Sequence, residues 1–151
     1  FAFTPSFSKI EELLAAAEDL NKTVDLISGE LLAMAMVVKD NRQNLIKDTV
    51  LKAKEIVDRG FCQQLTLQDL ALRVNVSSYY LSRLFGEELG MSFTEYLTKL
   101  RMEKAVQLLA AGFMVKDCCY TVGYNDPNYF SRIFRRYYGL TPTEYRERDQ
   151  G

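Results

Sequence analysis

Residues 92–112 read SFTEYLTKLRMEKAVQLLAAG, and the chain is organised around them, because what precedes this stretch returns in altered form after it. Ser92 and Glu95 have the spacing of a capping box, in which hydroxyl and carboxylate satisfy two amide donors left unpaired at a helix start. Gly112 stands where a left-handed residue ends a helix. Phe93, Tyr96, Leu97, Leu100, Ala105, Leu108 and Leu109 recur at spacings near three and four, which places Lys99, Arg101, Glu103 and Lys104 mostly off the apolar face. The pattern predicts one long helix, a rod of roughly 30 Å for about twenty residues.

Sliding residues 67–96 along the chain finds a second copy, at an offset of 48 and then, past Ser77, of 49. Asp69, Val74, Tyr80, Ser82, Arg83, Phe85, Gly90, Thr94, Glu95 and Tyr96 fall on Asp117, Val122, Tyr129, Ser131, Arg132, Phe134, Gly139, Thr143, Glu144 and Tyr145. Ten identities in thirty positions, with one residue inserted in a turn, make an internal repeat. Each copy reads as helix, tight turn, helix. Thr66 can cap a short helix carrying Leu67, Leu70, Ala71 and Val74, and Asn75 occupies the turn before Ser77 opens the next helix. Gly123 matches Asn75, and both residue types accept positive φ cheaply. Asp126 followed by Pro127 has the form of an N-cap and a first-turn proline.

Spacing assigns two faces to the second helix of each copy. Leu81, Leu84 and Phe85, like Phe130, Ile133 and Phe134, point inward, with Tyr80 and Tyr129 half-buried beside them. The outward stripe is Ser78, Tyr79, Ser82, Arg83 and Gly86 in one copy and Pro127, Asn128, Ser131, Arg132 and Arg135 in the other. Hydroxyls, an amide, a phenol and guanidinium groups are the donors and acceptors that read base edges in a major groove. Taken singly, such a stripe is the solvated face of a helical bundle. Its duplication with an arginine at one register, across a rod whose length suits half-sites about 34 Å apart, points instead to double-stranded DNA.

These residues carry a resemblance. The last hundred positions resemble the DNA-binding domain of the AraC/XylS transcription regulators, above all VGYNDPNYFSRIFRRYYGLTPTEYR at 122–146 and SSYYLSRLFGEELGMSFTEYLTKLRMEKA at 77–105. The resemblance implies an all-α fold of two helix-turn-helix subdomains joined by a long central helix. It also implies that the helices opening near Ser77 and Asp126 enter successive major grooves. Carried over by position, Tyr79, Ser82 and Arg83 would contact bases from the first and Asn128 and Arg132 from the second, with Arg135 and Arg136 nearer phosphate; Ser78 and Ser131, from the outward stripes, complete the expected DNA-binding set. RNA polymerase is a further partner that the resemblance allows, and activation is the commoner mode of action it suggests. Where the family pattern has an acidic residue, Ile and Ala in the second motif's first helix, this chain has Asp117, Cys118 and Cys119. The acid is kept and only the packing residues change.

The 151 residues, nearly half apolar, suffice for one or two small domains with a real core. Net charge is −1, but residues 1–44 hold four basic and seven acidic side chains, and residues 45–151 hold fifteen and thirteen. The basic excess lies in the half of the chain that holds the repeats. Histidine is absent, which removes the commonest general base and a common zinc ligand, and neither a cofactor nor a metal is expected. Cys118 and Cys119 match Leu70 and Ala71 and read as small buried residues, while an odd count of three cysteines suits a reducing cytoplasm. No apolar run of 18 residues and no signal-peptide pattern occur, so no membrane association is expected. A start at Phe1 suggests a piece of a longer protein, with an upstream sensor domain outside it.

From Ile10 the apolar pattern becomes strict: Ile10, Leu13, Ala17, Leu20, Val24, Ile27, Leu31, Met34 and Val38 alternate steps of three and four, as in the seam of a coiled coil. Apolar residues at flanking positions and Gly29 interrupt it, so the expectation is a helix, broken near Gly29, buried against a twin in a homodimer or against the sensor domain. A helix packed only on its own chain is the plainer alternative. The polar run KDNRQN at 39–44 is the expected boundary between this segment, 1–44, and the DNA-binding domain, 45–151. Beyond it a helix from Leu45 to Arg59, ended by Gly60, is expected to roof the first motif. No catalysis is expected; the rival readings are a helical adaptor that does not bind DNA and a thiol enzyme using Cys118 and Cys119.

Overall fold

The computed structural model describes residues 7–15 and 20–149. Eight helices and no strand occur among the described residues: α1 (Phe7–Ala15), α2 (Leu20–Gly60), α3 (Leu67–Arg73), α4 (Ser78–Leu89), α5 (Phe93–Ala110), α6 (Val115–Thr121), α7 (Pro127–Tyr138) and α8 (Pro142–Asp149). The chain divides into two compact units, Phe1–Leu45 and Ile46–Gly151.

Three expectations for the N-terminal part are corrected. α2 is one helix of 41 residues, unbroken at Gly29 and through KDNRQN. A lone glycine costs a helix only about 1 kcal/mol, and Lys, Arg and Gln are good helix formers; a polar run without Gly or Pro marks a loss of packing, not of helix. The seam from Ile10 to Val38 does not lie on one continuous rod either, since α1 ends at Ala15 and α2 begins at Leu20. Lys9 Nζ lies 2.6 Å from Glu30 Oε1, whereas 21 residues of straight helix would hold them roughly 30 Å apart. α1 therefore folds back alongside α2.

The second unit holds the repeats, and local signals explain its elements. Thr66 caps α3 with Asp69 in a capping box, Ser77 accepts from the Tyr80 amide at the start of α4, and Asp126 accepts from the Asn128 amide ahead of Pro127 in α7. Ser92 caps α5 with Glu95, and the same box recurs 49 residues on, where Thr141 and Glu144 open α8. Both motif turns are left-handed, with φ of 58° at Asn75 and 91° at Gly123. Both are closed by one pattern: the Val76 amide donates to Ala71 O and the Tyr124 amide to Cys119 O, each at 3.0 Å.

Two hydrophobic cores form, one per motif. The first joins Ala53 and Val57 of α2 to Leu70, Ala71, Leu81 and Phe85, with Phe93 and Leu97 from the start of α5. The second joins Met102, Ala105, Leu108 and Leu109 from the rest of α5 to Cys118, Cys119, Val122, Tyr124, Phe130 and Phe134. Burying a phenylalanine such as Phe85, Phe130 or Phe134 stabilises by about 1.5–3 kcal/mol. Serving two cores spreads burial around α5, so Met102, outside the apolar stripe read from spacing, is fully buried. Arg101, expected off the apolar face, is also buried, at 8% exposure. The sequence held a clue, since Phe93, Leu97, Arg101, Ala105 and Leu109 form one i, i+4 ladder and all five are buried.

Candidate nucleic-acid interface

The expected reading residues stand on α4 and α7, each helix fixed by its own cap and by inward side chains. Leu81, Leu84 and Phe85 seat α4, while Phe130 and Phe134 seat α7 with Ile133 half-buried. On the opposite face of α4, Tyr79 is 81% exposed, Ser82 and Arg83 are exposed, and Ser78 is half-buried. On α7, Asn128, Arg132, Arg135 and Arg136 are exposed. Ser131 is half-buried, and its hydroxyl donates to Pro127 O at 2.8 Å, which leaves it an acceptor towards any partner.

The two copies hold their arginines alike. The Arg83 guanidinium lies 5.6 Å from the centroid of the Tyr80 ring, and that of Arg132 lies 5.8 Å from the Tyr129 ring. A tyrosine one turn earlier thus supports each guanidinium by a cation–π contact, which engages the face of the guanidinium rather than its N–H donors and restricts its rotamers. The copies differ in charge. α4 carries Arg83 with Glu87 and Glu88, a sum of −1, and α7 carries Arg132, Arg135 and Arg136, a sum of +3. Arg83 is paired with Glu87, one turn on, at 3.2 Å; the outward stripe read from spacing ends at Gly86 and leaves this acid out.

Cys118 and Cys119 are fully buried, and burial raises both thiol pKa values, which disfavours the reactive thiolate. Among the described residues no group of His, Cys, Asp or Glu could hold a metal ion, and no helix is long and apolar enough to cross a membrane. Of the apolar seam, Ile10, Val24, Ile27, Leu31 and Val38 are exposed, while Leu13 and Met34 are half-buried. Ala17 and the side chain of Leu20 lie outside the described residues.

Comparison with known proteins agrees with this arrangement. A family model described as a helix-turn-helix domain matches residues 70–148, just over half of the chain. The lactose operon transcription activator of Staphylococcus xylosus is 33% identical over 68% of this chain and 37% of its own length. The C-terminal domain of AraT, a response regulator from Geobacillus stearothermophilus, is 40% identical with a TM-score of 0.64, over 66% of this chain and 84% of that one. A DNA-binding transcriptional dual regulator from Escherichia coli K-12 is 34% identical with a TM-score of 0.60, over 66% and 89%. The chain spans about a third of the length of the first curated relatives it matches. With its paired motifs strung on α5, the chain belongs to the AraC-type helix-turn-helix family of transcription regulators.

Proposed function

We propose that this chain reads double-stranded DNA sequence-specifically, with α4 and α7 in successive major grooves on one face of the duplex. The carrying observation is the pair of exposed arginines, each over a tyrosine at the same register of a duplicated motif. α5, with 18 residues, is a rod of about 27 Å, of the order of the 34 Å that separates half-sites. Tyr79, Ser82 and Arg83, with Ser78 at the helix start, contact one block of bases. Asn128, Ser131 and Arg132 contact the other, and Arg135 and Arg136 meet phosphate.

The test is selection of bound sequences from a random duplex pool, followed by a mutational scan of the selected site. Losing a bidentate arginine–guanine pair costs about 1–3 kcal/mol. Arg83→Ala relaxes preference in one block and Arg132→Ala in another, roughly 10 base pairs away. Changes at the same base pairs for both variants, or no selected sequence at all, would rule the reading out.

The N-terminal unit, in the same proposal, pairs with a second copy of the chain. Five of its seam residues, at Ile10, Val24, Ile27, Leu31 and Val38, are exposed, together with Leu32, Met36 and Val37. Exposed apolar side chains gathered in one short unit point to an interaction site.

A further inference from the structure

We infer that Arg101 is a positioning residue that fixes the two reading helices relative to each other and so sets the spacing between the two blocks of bases; the inference rests on the DNA-reading proposal above. The two hydrophobic cores share no side chain: Leu97 of α5 belongs to the first, Met102 of α5 to the second. Elsewhere the motifs face each other across an open cleft of about 540 Å³, lined by Met91, Thr94 and Thr98 on one side and by Tyr129, Ile133 and Tyr137 on the other. A single helix running between two separate cores leaves their relative rotation poorly fixed, unless something is built at the junction.

Arg101 stands at that junction. Its Nε donates to Phe61 O at 2.8 Å and its second terminal nitrogen to Gln63 O at 2.9 Å, so one guanidinium clamps the loop that follows α2 and packs with the first motif. The other face of the same guanidinium lies 5.0 Å from the centroid of Tyr124, a residue of the second core. Arg101 is the one buried charged side chain among the described residues, and its planar fork and flat face suit this double task as a lysine's would not. Two further contacts join the loop to the second motif. Gln64 Nε2 donates to Gly123 O at 3.4 Å, and the backbone at Gly123 approaches Cys62 so closely that a Cβ there would lie 2.6 Å from the Cys62 carbonyl oxygen. Loop 61–64 is thereby pinned to the turn of the second motif, with Arg101 through the middle.

Adding one base pair between the two blocks moves them about 3.4 Å further apart along the axis and turns them about 34°, so a rigid junction rejects altered spacings while a loose one accepts them. Two measurements test this. First, spin labels at Glu88→Cys and Tyr137→Cys, equivalent positions on α4 and α7, are placed in a Cys62→Ser background, and the distance distribution is read without DNA. A narrow distribution that broadens or shifts on Arg101→Gln, and less so on Arg101→Lys, is expected; an unchanged mean and width in folded variants overturns the inference. Second, duplexes carrying the selected site with one base pair inserted or deleted between blocks are titrated with the full chain. The parent loses roughly tenfold or more in affinity, and Arg101→Gln less than about threefold, with base preference inside each block unchanged. Equal spacing penalties in parent and variant overturn it. A parent that binds no duplex defeats the proposed function, and the label distances still decide whether Arg101 holds the two helices. Far-UV circular dichroism of every variant establishes that it is folded, and Arg101→Lys carries both tests if Arg101→Gln does not fold.

Discussion

Arg83 Nε lies 3.2 Å from Glu87 Oε1 on α4, and the position matching Glu87 in the second copy is Arg136. The two reading helices therefore approach a polyanion differently: α4 presents a guanidinium already paired to a carboxylate, whereas α7 presents three cations and no acid. An exposed ion pair of this kind contributes only about 0–1 kcal/mol to stability, so Glu87 can be neutralised with little effect on the fold. Glu87→Gln is expected to tighten binding to a duplex of unrelated sequence by roughly threefold to tenfold at 50 mM salt, with the gain shrinking towards 200 mM. Arg135→Ala and Arg136→Ala should each lower the salt slope by about 0.9. Fluorescence anisotropy across the salt series is the measurement, and unchanged or weaker binding by Glu87→Gln would show that the carboxylate does not face phosphate.

The N-terminal unit gives a prediction about assembly. Leu31 is 61% exposed, so Leu31→Asp barely disturbs a single chain, but in an apolar interface between two chains it leaves a carboxylate without partners. Sedimentation velocity should find a dimeric parent and a monomeric variant at the same concentration, with equal helix content by circular dichroism. A monomeric parent, or a variant that remains dimeric, removes the second copy as the partner of this surface.

The repeated capping boxes carry a pH dependence. Glu95 and Glu144 have pKa values below the ordinary 4.5, first because the Ser92 and Thr141 amides donate to them and then because the hydroxyls do. Both carboxyls release the proton more readily in the folded than in the unfolded chain. Their contribution to stability is thus fully present above about pH 4.5 and is lost as the pH falls through the depressed folded values. The variant Glu95→Gln/Glu144→Gln keeps an acceptor at each box without the charge. Its thermal midpoint should lie below the parent's at pH 7, and the two curves should converge as the pH falls from 4.5 to 3. A constant offset over that range would mean that the charges at these caps do not matter.

The sequence spoke plainly wherever a feature depended on near neighbours in the chain. Caps at Thr66, Ser77, Ser92 and Asp126, left-handed turns at Asn75 and Gly123, and the inward sets around Phe85 and Phe134 follow from local chemistry and are as expected. It spoke less plainly where partners come from elsewhere. Arg101 looked like a solvated charge because its acceptors, Phe61 O and Gln63 O, lie about forty residues away and leave no periodic trace. The continuity of α2 was hidden for a related reason. KDNRQN marks the place where the two units part, near Leu45, and polarity there reports the absence of packing while the backbone remains helical.

Two glycines with similar backbones separate conformational strain from close approach. Gly139 ends α7 with φ at 79° and has nothing within 4 Å of a Cβ placed on it, while Gly123 has φ at 91° and the Cys62 carbonyl oxygen 2.6 Å from that Cβ. Gly139→Ala should therefore cost only the left-handed penalty of about 1–2 kcal/mol. Gly123→Ala bears the same penalty and must also push away backbone that Arg101 and Gln64 hold in place, so a loss of about 3–5 kcal/mol is expected. The repeat supplies a sharper contrast. Asn75, at φ 58°, occupies the matching turn of the first motif and is exposed, which shows that asparagine satisfies this conformation when nothing crowds it. Gly123→Asn should nonetheless be about as harmful as Gly123→Ala, because asparagine relieves the φ preference and still carries the Cβ, whereas Asn75→Gly should be nearly neutral. Urea unfolding of the four variants decides the matter: if Gly123→Ala and Gly139→Ala lose the same stability, the loop at Cys62 yields freely and its approach to Gly123 is no constraint on the fold.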